Sequence, residues 1–187
     1  MPFLAWIGRI SDLSQTVARF RSRMHDYSRK EHARLVFMRE AIRLANQGVS
    51  KGDGGPFGAV VVKDGRVVGR GWNRVIADND PTAHAEMNAI RDACGLLRDF
   101  RLNGCELYTS CEPCPMCLSA IYWARIDRVW YAATAADAAS IGFDDSLIHE
   151  QLRLAEGARL LPHGHLLRDE ALDVFRRWRD SDLRVNY

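Results

Sequence analysis

The sequence predicts an α/β protein built as a three-layer α/β/α sandwich, with helices on both faces of one mixed five-stranded sheet. Two observations lead to this prediction. Helix-like and strand-like segments follow one another in the order α-β-β-α-β-α-β-α, which favours helices packed on both faces of a shared sheet. The chain has 187 residues, of which 47% are hydrophobic, so it can bury one sizeable core as a single domain.

The N-terminal segment, residues 1–29, is predicted to be an extension of the main domain, which spans residues 30–187. The extension is either a helix or a partly ordered tail. Five basic residues lie between positions 19 and 30. A solvated helix face is the favoured interpretation of this charge run, and contact with nucleic acid or a membrane is the alternative.

The first helix of the domain is predicted from a stripe of apolar residues. Leu35, Met38, Ile42 and Ala45 recur at the spacing of one helix face. Gly48 is a suitable stop at the C-terminal end, because glycine is favoured just after the last helical turn. This helix is expected to cover one face of the sheet.

The rest of the chain alternates between strands and helices. Residues 57–63 and 66–70 are predicted to be strands, because Asp64 and Gly65 between them are a strong hairpin signal. The other predicted elements are a helix opened by residues 80–82 and ended by Gly95, a strand at 105–109, a helix beginning after Pro113, a strand at 127–133, and helices near 146–156 and 169–180.

A split motif of metal-ligand type lies in the middle of the chain. His84 and Glu86 are separated by one residue, and Cys114 and Cys117 by two. His84, Cys114 and Cys117 would bind Zn²⁺ and leave its fourth tetrahedral position open, as catalytic zinc sites do. Two thiolates and an imidazole favour zinc among the divalent metals. The pattern matches the known H-x-E…P-C-x-x-C signature of zinc-dependent deaminases.

Hydrolytic deamination needs these residue types. Zinc lowers the pKa of a coordinated water from about 16 to about 7, which makes a nucleophile available at neutral pH. A carboxylate must then carry a proton to the ring nitrogen and later to the departing amine. Glu86 suits this role, because it lies next to a metal ligand in the sequence without being the next ligand on the same helix face.

The spacing of the cysteines allows other interpretations. Cys111 precedes Cys114 by three residues, so a closed structural zinc site with four protein ligands is an alternative. The histidine motif upstream favours the open site, which makes Cys111 a non-ligand nearby. A Cys-x-x-Cys redox pair lacks its usual βαβ context here. Cys94 and Cys105 are predicted to be small buried apolar residues.

Composition limits the function classes. The formal net charge of +2 gives no strong argument for a nucleic-acid partner. Five cysteines, three of them clustered, indicate metal chemistry in a reducing compartment, hence a cytoplasmic protein. No apolar run approaches the length of a membrane span. Residues 1–10 are apolar but lack the basic start and cleavage site of a signal peptide.

The chain resembles the cytidine-deaminase-like superfamily and, within it, the small bacterial guanine deaminases. The resemblance runs from about residue 35 to residue 150 and reappears at Tyr187. The segments at 137–139 and 142–146 are more specific to the guanine deaminase branch than the zinc motif is. The matching segments are residues 54–60, 79–86, 108–117, 120–125, 137–139 and 142–146.

The resemblance implies zinc-dependent hydrolysis of guanine to xanthine and ammonia, in purine salvage or catabolism. It makes Glu86 the main proton shuttle and Asp145 a second shuttle near the leaving amine. The residues alone leave an alternative, because Asp144 and Asp145 precede a predicted helix and one of them is expected to cap it.

The resemblance also implies a set of substrate-binding residues. Asn73 would hydrogen-bond the purine, Phe57 and Trp123 would line the base pocket, and Ala85 lies within the same motif. From the residues alone, a turn residue is an alternative interpretation of Asn73, and a place in the hydrophobic core is an alternative for the two aromatic residues. Tyr187 would cover the pocket from a partner chain, because members of this family exchange the C-terminal segment within a homodimer.

Three other functions stay open at this point. Deamination of guanosine or of another aminated heterocycle, such as cytosine, cytidine or a triazine, is the nearest alternative. Deamination of adenosine in tRNA is disfavoured by the near-neutral charge, since such an enzyme needs a basic face. A zinc-stabilised binding module without turnover would need the three metal ligands but neither Glu86 nor Asp145.

Overall fold

The computed structural model describes the backbone of residues 4–186 and the side chains of Met24 and of residues 29–186. The chain folds into a mixed sheet with helices on both faces. Its elements are α1 (Leu4–Lys51), β1 (Gly58–Lys63), β2 (Arg66–Trp72), α2 (Val75–Asp78), α3 (Ala85–Leu97), β3 (Cys105–Cys111), α4 (Pro115–Trp123), β4 (Arg128–Ala133), α5 (Ala135–Ser140), α6 (Ser146–Arg153), a 3₁₀ turn (Glu156–Ala158) and α7 (Arg168–Arg179).

The sheet has the strand order β2-β1-β3-β4. Strand β1 pairs antiparallel with both β2 and β3, whereas β3 and β4 are parallel. The mixed sheet is therefore confirmed, but it has four strands over residues 4–186 where five were expected. After β4 the chain turns into a helix at once, because Thr134 and Asp137 form a reciprocal capping box that starts α5.

The two faces of the sheet are covered by different helices. On one face, Val61 and Leu107 pack against the alanines of α3 and against Ile121 of α4. On the other face, Val60 and Tyr108 pack against α1. Strand residues alternate between the faces, so each strand contributes to both cores. The three-layer α/β/α sandwich is confirmed.

The buried stripe of α1 differs from the predicted one. Leu35 and Ile42 are about half exposed, whereas Ala41 and Leu44 are buried against the sheet. Helix α1 also continues through Gly48 to Lys51. Gly48 meets the sheet where a Cβ would lie 2.7 Å from Cδ1 of Trp72, so its small size serves close packing and does not end the helix. Met38 and Ala45 of the predicted stripe do lie on the face that packs against the sheet, so the prediction was wrong only for Leu35 and Ile42.

The helices next to the predicted metal ligands begin at different residues from those predicted. Helix α3 begins at Ala85, directly after His84, and extends past the predicted end to Leu97. Helix α4 has Pro115 at its first position, not Pro113. Helices α2 and α5 were not predicted; each has only four to six residues, too short to leave a periodic pattern.

The C-terminal part, residues 155–186, lies almost entirely on the surface of the chain. It includes large apolar side chains that are exposed, among them Leu166 at 90% and those of Phe175 and Trp178 in α7. Over the part of the chain that is described, no helix combines the length and the apolar character needed to cross a bilayer.

Candidate active site

Three predicted metal ligands converge where two helices begin. His84 is the residue that precedes α3 and Cys114 the residue that precedes α4; both have extended backbones, with ψ of 159° and 167°. Cys117 follows in the first turn of α4. Pro115 fixes the start of α4, because its ring holds φ at a helical value and its missing N–H is not needed there.

The donor atoms have the spacing of a tetrahedral metal site. His84 Nδ1 lies 3.5 Å from the Sγ atoms of both Cys114 and Cys117. The ligand atoms of the three residues all lie within 4.8 Å of one another. A tetrahedral zinc with ordinary Zn–N and Zn–S bonds separates N from S by about 3.6 Å. The group therefore fits zinc, and within the described residues Cys111 is not part of it.

The two thiols share one proton. The hydrogen bond from Cys117 lowers the pKa of Cys114 to about 4, and the neighbouring Cys114 raises the pKa of Cys117. The bond to Cys114 in turn raises the pKa of His84. Both thiols lie at helix N-termini, whose positive potential favours thiolates. Binding of a divalent cation would release the shared proton.

Glu86 lies beside this group and is only 5% exposed. Its Oε1 accepts a hydrogen bond from Thr109 Oγ1 at 3.0 Å, and its Oε2 accepts one from Cys117 Sγ at 3.4 Å. Burial raises the pKa of Glu86. A buried carboxyl group with a raised pKa can both accept and return a proton, which is the chemistry of a general acid–base.

Asn73 is buried at the end of β2, with its amide orientation fixed. Its Oδ1 accepts hydrogen bonds from the backbone N–H groups of Gly55 and Val75, both at 3.2 Å. Because both neighbours are donors, the oxygen must face them, and the Nδ2 amine points away from them. Asn73 lines the cavity, so this amine is a donor for a bound molecule.

A cavity of about 900 Å³ opens in front of the metal group. One wall is aromatic: Phe57 and Phe143 meet edge to face, with ring centroids 4.9 Å apart. The ionisable residues of the cavity lining are His84, two cysteines and four carboxyl groups, and none of the described lining residues is lysine or arginine. The carboxyl groups belong to Glu86, Glu112, Asp144 and Asp145.

Asp144 and Asp145 are adjacent but have different partners. Asp144 Oδ1 accepts a hydrogen bond from Ser146 N at 2.9 Å, and this backbone bond lowers the pKa of Asp144. Asp145 makes no side-chain cap; its Oδ2 lies 3.4 Å from His149 Nε2. Asp144 thus holds the start of α6, as expected for one of the pair, and Asp145 is left for the cavity.

Two predicted binding residues do not line this cavity, and a third lies outside the described residues. Trp123 is 69% exposed, because it lies two positions after the buried Ile121 and so on the opposite side of α4. Ala85 is wholly buried under the sheet as the first residue of α3, where its N–H has no acceptor within the helix. Tyr187 lies outside the described residues.

Several residues of the site were missed by sequence reasoning. Thr109 could have been found, because it is a polar residue in the middle of a buried strand. Glu112 accepts a hydrogen bond from Ala135 N at 3.0 Å and so fixes the start of α5 against the cavity. Phe143 lies in a matched segment, but only its contact with Phe57 gives it a role.

The fold and the site define a class of protein. The sequence model of the cytidine and deoxycytidylate deaminase zinc-binding region matches residues 31–133, which include the three ligands and Glu86. The chain belongs to this family of zinc-binding deaminases.

Within that family, the chain is similar to guanine deaminases, as expected. It is 52% identical over 152 residues to a guanine deaminase of Bacillus subtilis, covering 81% of this chain and 97% of that protein. The X-ray structure of a Bacillus subtilis guanine deaminase matches with a TM-score of 0.79 and 50% identity, over 81% of this chain and 97% of that one. A tRNA-specific adenosine deaminase of Aquifex aeolicus is 44% identical over 97 residues, or 52% of this chain and 64% of that protein.

Proposed function

We propose that this chain is a zinc-dependent aminohydrolase that converts guanine and water into xanthine and ammonia. The observation that carries the proposal is the arrangement of one cavity. A His-Cys-Cys metal group and the buried carboxyl of Glu86 lie on one side, and the carboxyl of Asp145 lies on its wall. The similarity to guanine deaminases supports guanine as the substrate.

His84, Cys114 and Cys117 would hold the zinc, which supplies an activated water nucleophile when bound. Glu86 takes the proton that the water loses and delivers it to the ring nitrogen next to the carbon under attack. A carbon–oxygen bond forms at that carbon. Thr109 keeps the Glu86 carboxyl turned toward the metal group through its 3.0 Å hydrogen bond.

The second half of the reaction breaks the carbon–nitrogen bond. The amine must be protonated before it leaves, because the amide anion is a very poor leaving group. Glu86 carries this proton, and Asp145 assists from the cavity wall as the second shuttle. Water supplies the oxygen that the ring gains, one proton that stays on the ring nitrogen and one proton that ammonia carries away, so the reaction is balanced without a further reactant.

Recognition of the base falls to the opposite wall. The Asn73 amine donates a hydrogen bond to a ring acceptor, and its orientation is set before substrate arrives. Phe57 and Phe143 provide an apolar edge for a planar ring. Although Ala85 does not line the cavity in this chain, its backbone N–H directly follows His84 at the start of α3 and would be a further donor on the metal side.

The charge of the cavity favours a neutral substrate. Four carboxyl groups line it, and none of its described lining residues is cationic, so a phosphate group would be repelled. This opposes tRNA adenosine deamination, the second candidate, which the 44% identity to a tRNA deaminase favours. Guanosine stays possible by size, because about 900 Å³ lies near the top of the range for small-molecule sites.

The working unit is proposed to be a cytoplasmic homodimer in which the C-terminal segment is exchanged. The exposed Leu166, Phe175 and Trp178 support this, because apolar side chains in such number are normally covered by a partner. The exposed Trp123 offers a matching apolar surface on α4. Tyr187 would then cover the partner's cavity. The main domain spans residues 30–187, and residues 1–29 extend it.

The test is xanthine formation by zinc-loaded protein, followed by absorbance, with guanosine, cytosine and tRNA assayed in parallel. We expect rapid turnover of guanine alone. Turnover of guanosine or cytosine without guanine would contradict the substrate and keep the metal chemistry. Turnover of tRNA alone would establish the second candidate. No turnover of any of these by protein carrying zinc would contradict the enzyme itself.

A further inference from the structure

The carboxylate of Asp53 contacts the side chains of the two residues that flank Asn73 in the sequence. Asp53 lies in the turn between α1 and β1. Its Oδ2 accepts a hydrogen bond from Trp72 Nε1 at 2.7 Å and lies 3.4 Å from Arg74 NH1. Trp72 and Arg74 are the immediate neighbours of Asn73 in the sequence. A single carboxylate therefore fixes the position of the backbone that carries Asn73.

The backbone of Asp53 makes a second set of contacts. Its carbonyl oxygen accepts hydrogen bonds from the N–H groups of Ile76 and Ala77, at 3.2 and 3.0 Å. Its own N–H donates to Gly48 O at 3.0 Å. Asp53 thus joins the last turns of α1 to the first turn of α2. Ile76 lines the cavity, but Asp53 itself does not.

The two segments that Asp53 joins are those that hold the Asn73 amide. One of them supplies the Gly55 N–H and the other the Val75 N–H, the two donors to Asn73 Oδ1. The space between them is tight, since a Cβ on Gly54 would overlap the Asn73 Oδ1 atom. If the segments move apart, the amide loses the donors that set its orientation.

We propose that Asp53 is a positioning residue that holds Asn73 in its substrate-binding orientation. The inference rests on the proposed function, because it requires Asn73 to bind the substrate ring. The Asp53 side chain, which a substitution removes, acts only through its contacts with Trp72 and Arg74. It touches neither substrate nor the reacting atoms, and it carries no proton in the reaction.

The test is a comparison of KM and kcat for guanine in variants of the full zinc-loaded protein. Asp53→Ala removes the acceptor of the Trp72 N–H, and we expect KM to rise about tenfold while kcat changes less than threefold. Asp53→Asn keeps an acceptor for Trp72 and should recover most of the affinity. It also serves as the measurable variant if Asp53→Ala does not fold.

Asp78→Asn is the matched control. Asp78 is the other carboxylate bound to Arg74, with a contact of 2.6 Å, but it does not contact Trp72. Loss of the Asp78 carboxylate should leave KM unchanged. This result would show that loss of an Arg74 ion pair is not what raises KM in Asp53→Ala. Thermal unfolding and zinc content of every variant should match those of the parent protein.

A double variant separates positioning from a general structural effect. If Asp53 acts through Asn73, adding Asp53→Ala to Asn73→Ala should raise KM no further than Asn73→Ala alone. Independent, multiplying effects would overturn the inference, as would an unchanged KM in Asp53→Ala. If the parent protein does not turn over guanine, the proposed function fails. If it does and Asn73→Ala alone raises KM, only the role of Asp53 fails.

Discussion

Asp144 and Asp145 provide a sharp test of the proton-transfer scheme, because the two neighbours differ in what their carboxyl groups do. The Asp144 side chain accepts a hydrogen bond from the backbone N–H of Ser146. An asparagine side-chain oxygen can accept the same bond equally well. Asp145 lines the cavity without capping α6. Asp145→Asn keeps size and polarity but removes the ability to exchange a proton. The same change at two adjacent positions should therefore have very different effects.

The expected size follows from the role of each residue. General acid–base groups contribute about 10²- to 10⁴-fold in rate. Asp145 should fall at the low end of that range, because Glu86 stays in place as the main shuttle. We expect Asp145→Asn to lower kcat about a hundredfold, or about 2.7 kcal/mol in the activation barrier. Asp144→Asn should change kcat less than about threefold, since no proton passes through it.

The assay is initial rates of xanthine formation for the parent protein and both variants, at equal zinc content. Circular dichroism and thermal unfolding would establish that α6 still forms in each variant. Equal losses in the two variants would refute the separate roles. An Asp145→Asn variant with kcat within threefold of the parent would refute Asp145 as a proton shuttle. Glu86 would then be the sole proton carrier.

Three further outcomes are expected. Glu86→Gln should keep one zinc per chain by metal analysis and lose about a thousandfold in turnover, whereas turnover within tenfold would contradict its role. Removal of the metal by a chelator should abolish turnover but leave most of the helical circular dichroism signal, because neither hydrophobic cluster on the two faces of the sheet contains a metal ligand. Global unfolding on removal of the metal would instead indicate a structural zinc. Leu44→Ala, at a side chain only 2% exposed, should lower the free energy of unfolding by about 2–5 kcal/mol in urea titrations.

The metal group could be predicted from the sequence because its geometry is local. His84 and Glu86 lie two residues apart, and Cys114 and Cys117 one helical turn apart, so only two short segments must meet. Local signals also gave the hairpin between β1 and β2, since Asp64 and Gly65 both adopt the positive φ that such a turn requires.

Prediction failed where a role depends on contacts between distant segments. The apolar stripe assigned to α1 was shifted, because Ala41 and Gly48 face the sheet for their small size, which a count of apolar residues undervalues. The resemblance placed Trp123 in the base pocket, and that role stays a prediction; within this chain the burial of Ile121 turns Trp123 away from the cavity. The bond from Thr109 to Glu86 joins residues 23 positions apart, and no local pattern encodes it.

The metal ligands, Glu86, Phe57 and Asn73 all lie before residue 134, whereas a second part of the cavity wall follows it. The metal ligands and Glu86 lie at the starts of α3 and α4, two helices that pack in the core, and all fall within residues 31–133, the part matched by the family's sequence model. Phe143 and Asp145 come after that part, in the connection between α5 and α6. A change in this later segment can alter the wall of the cavity without disturbing the metal group. Relatives with different substrates can therefore share the zinc motif, and substrate choice should be sought in the segment after residue 133 together with Asn73 and Phe57.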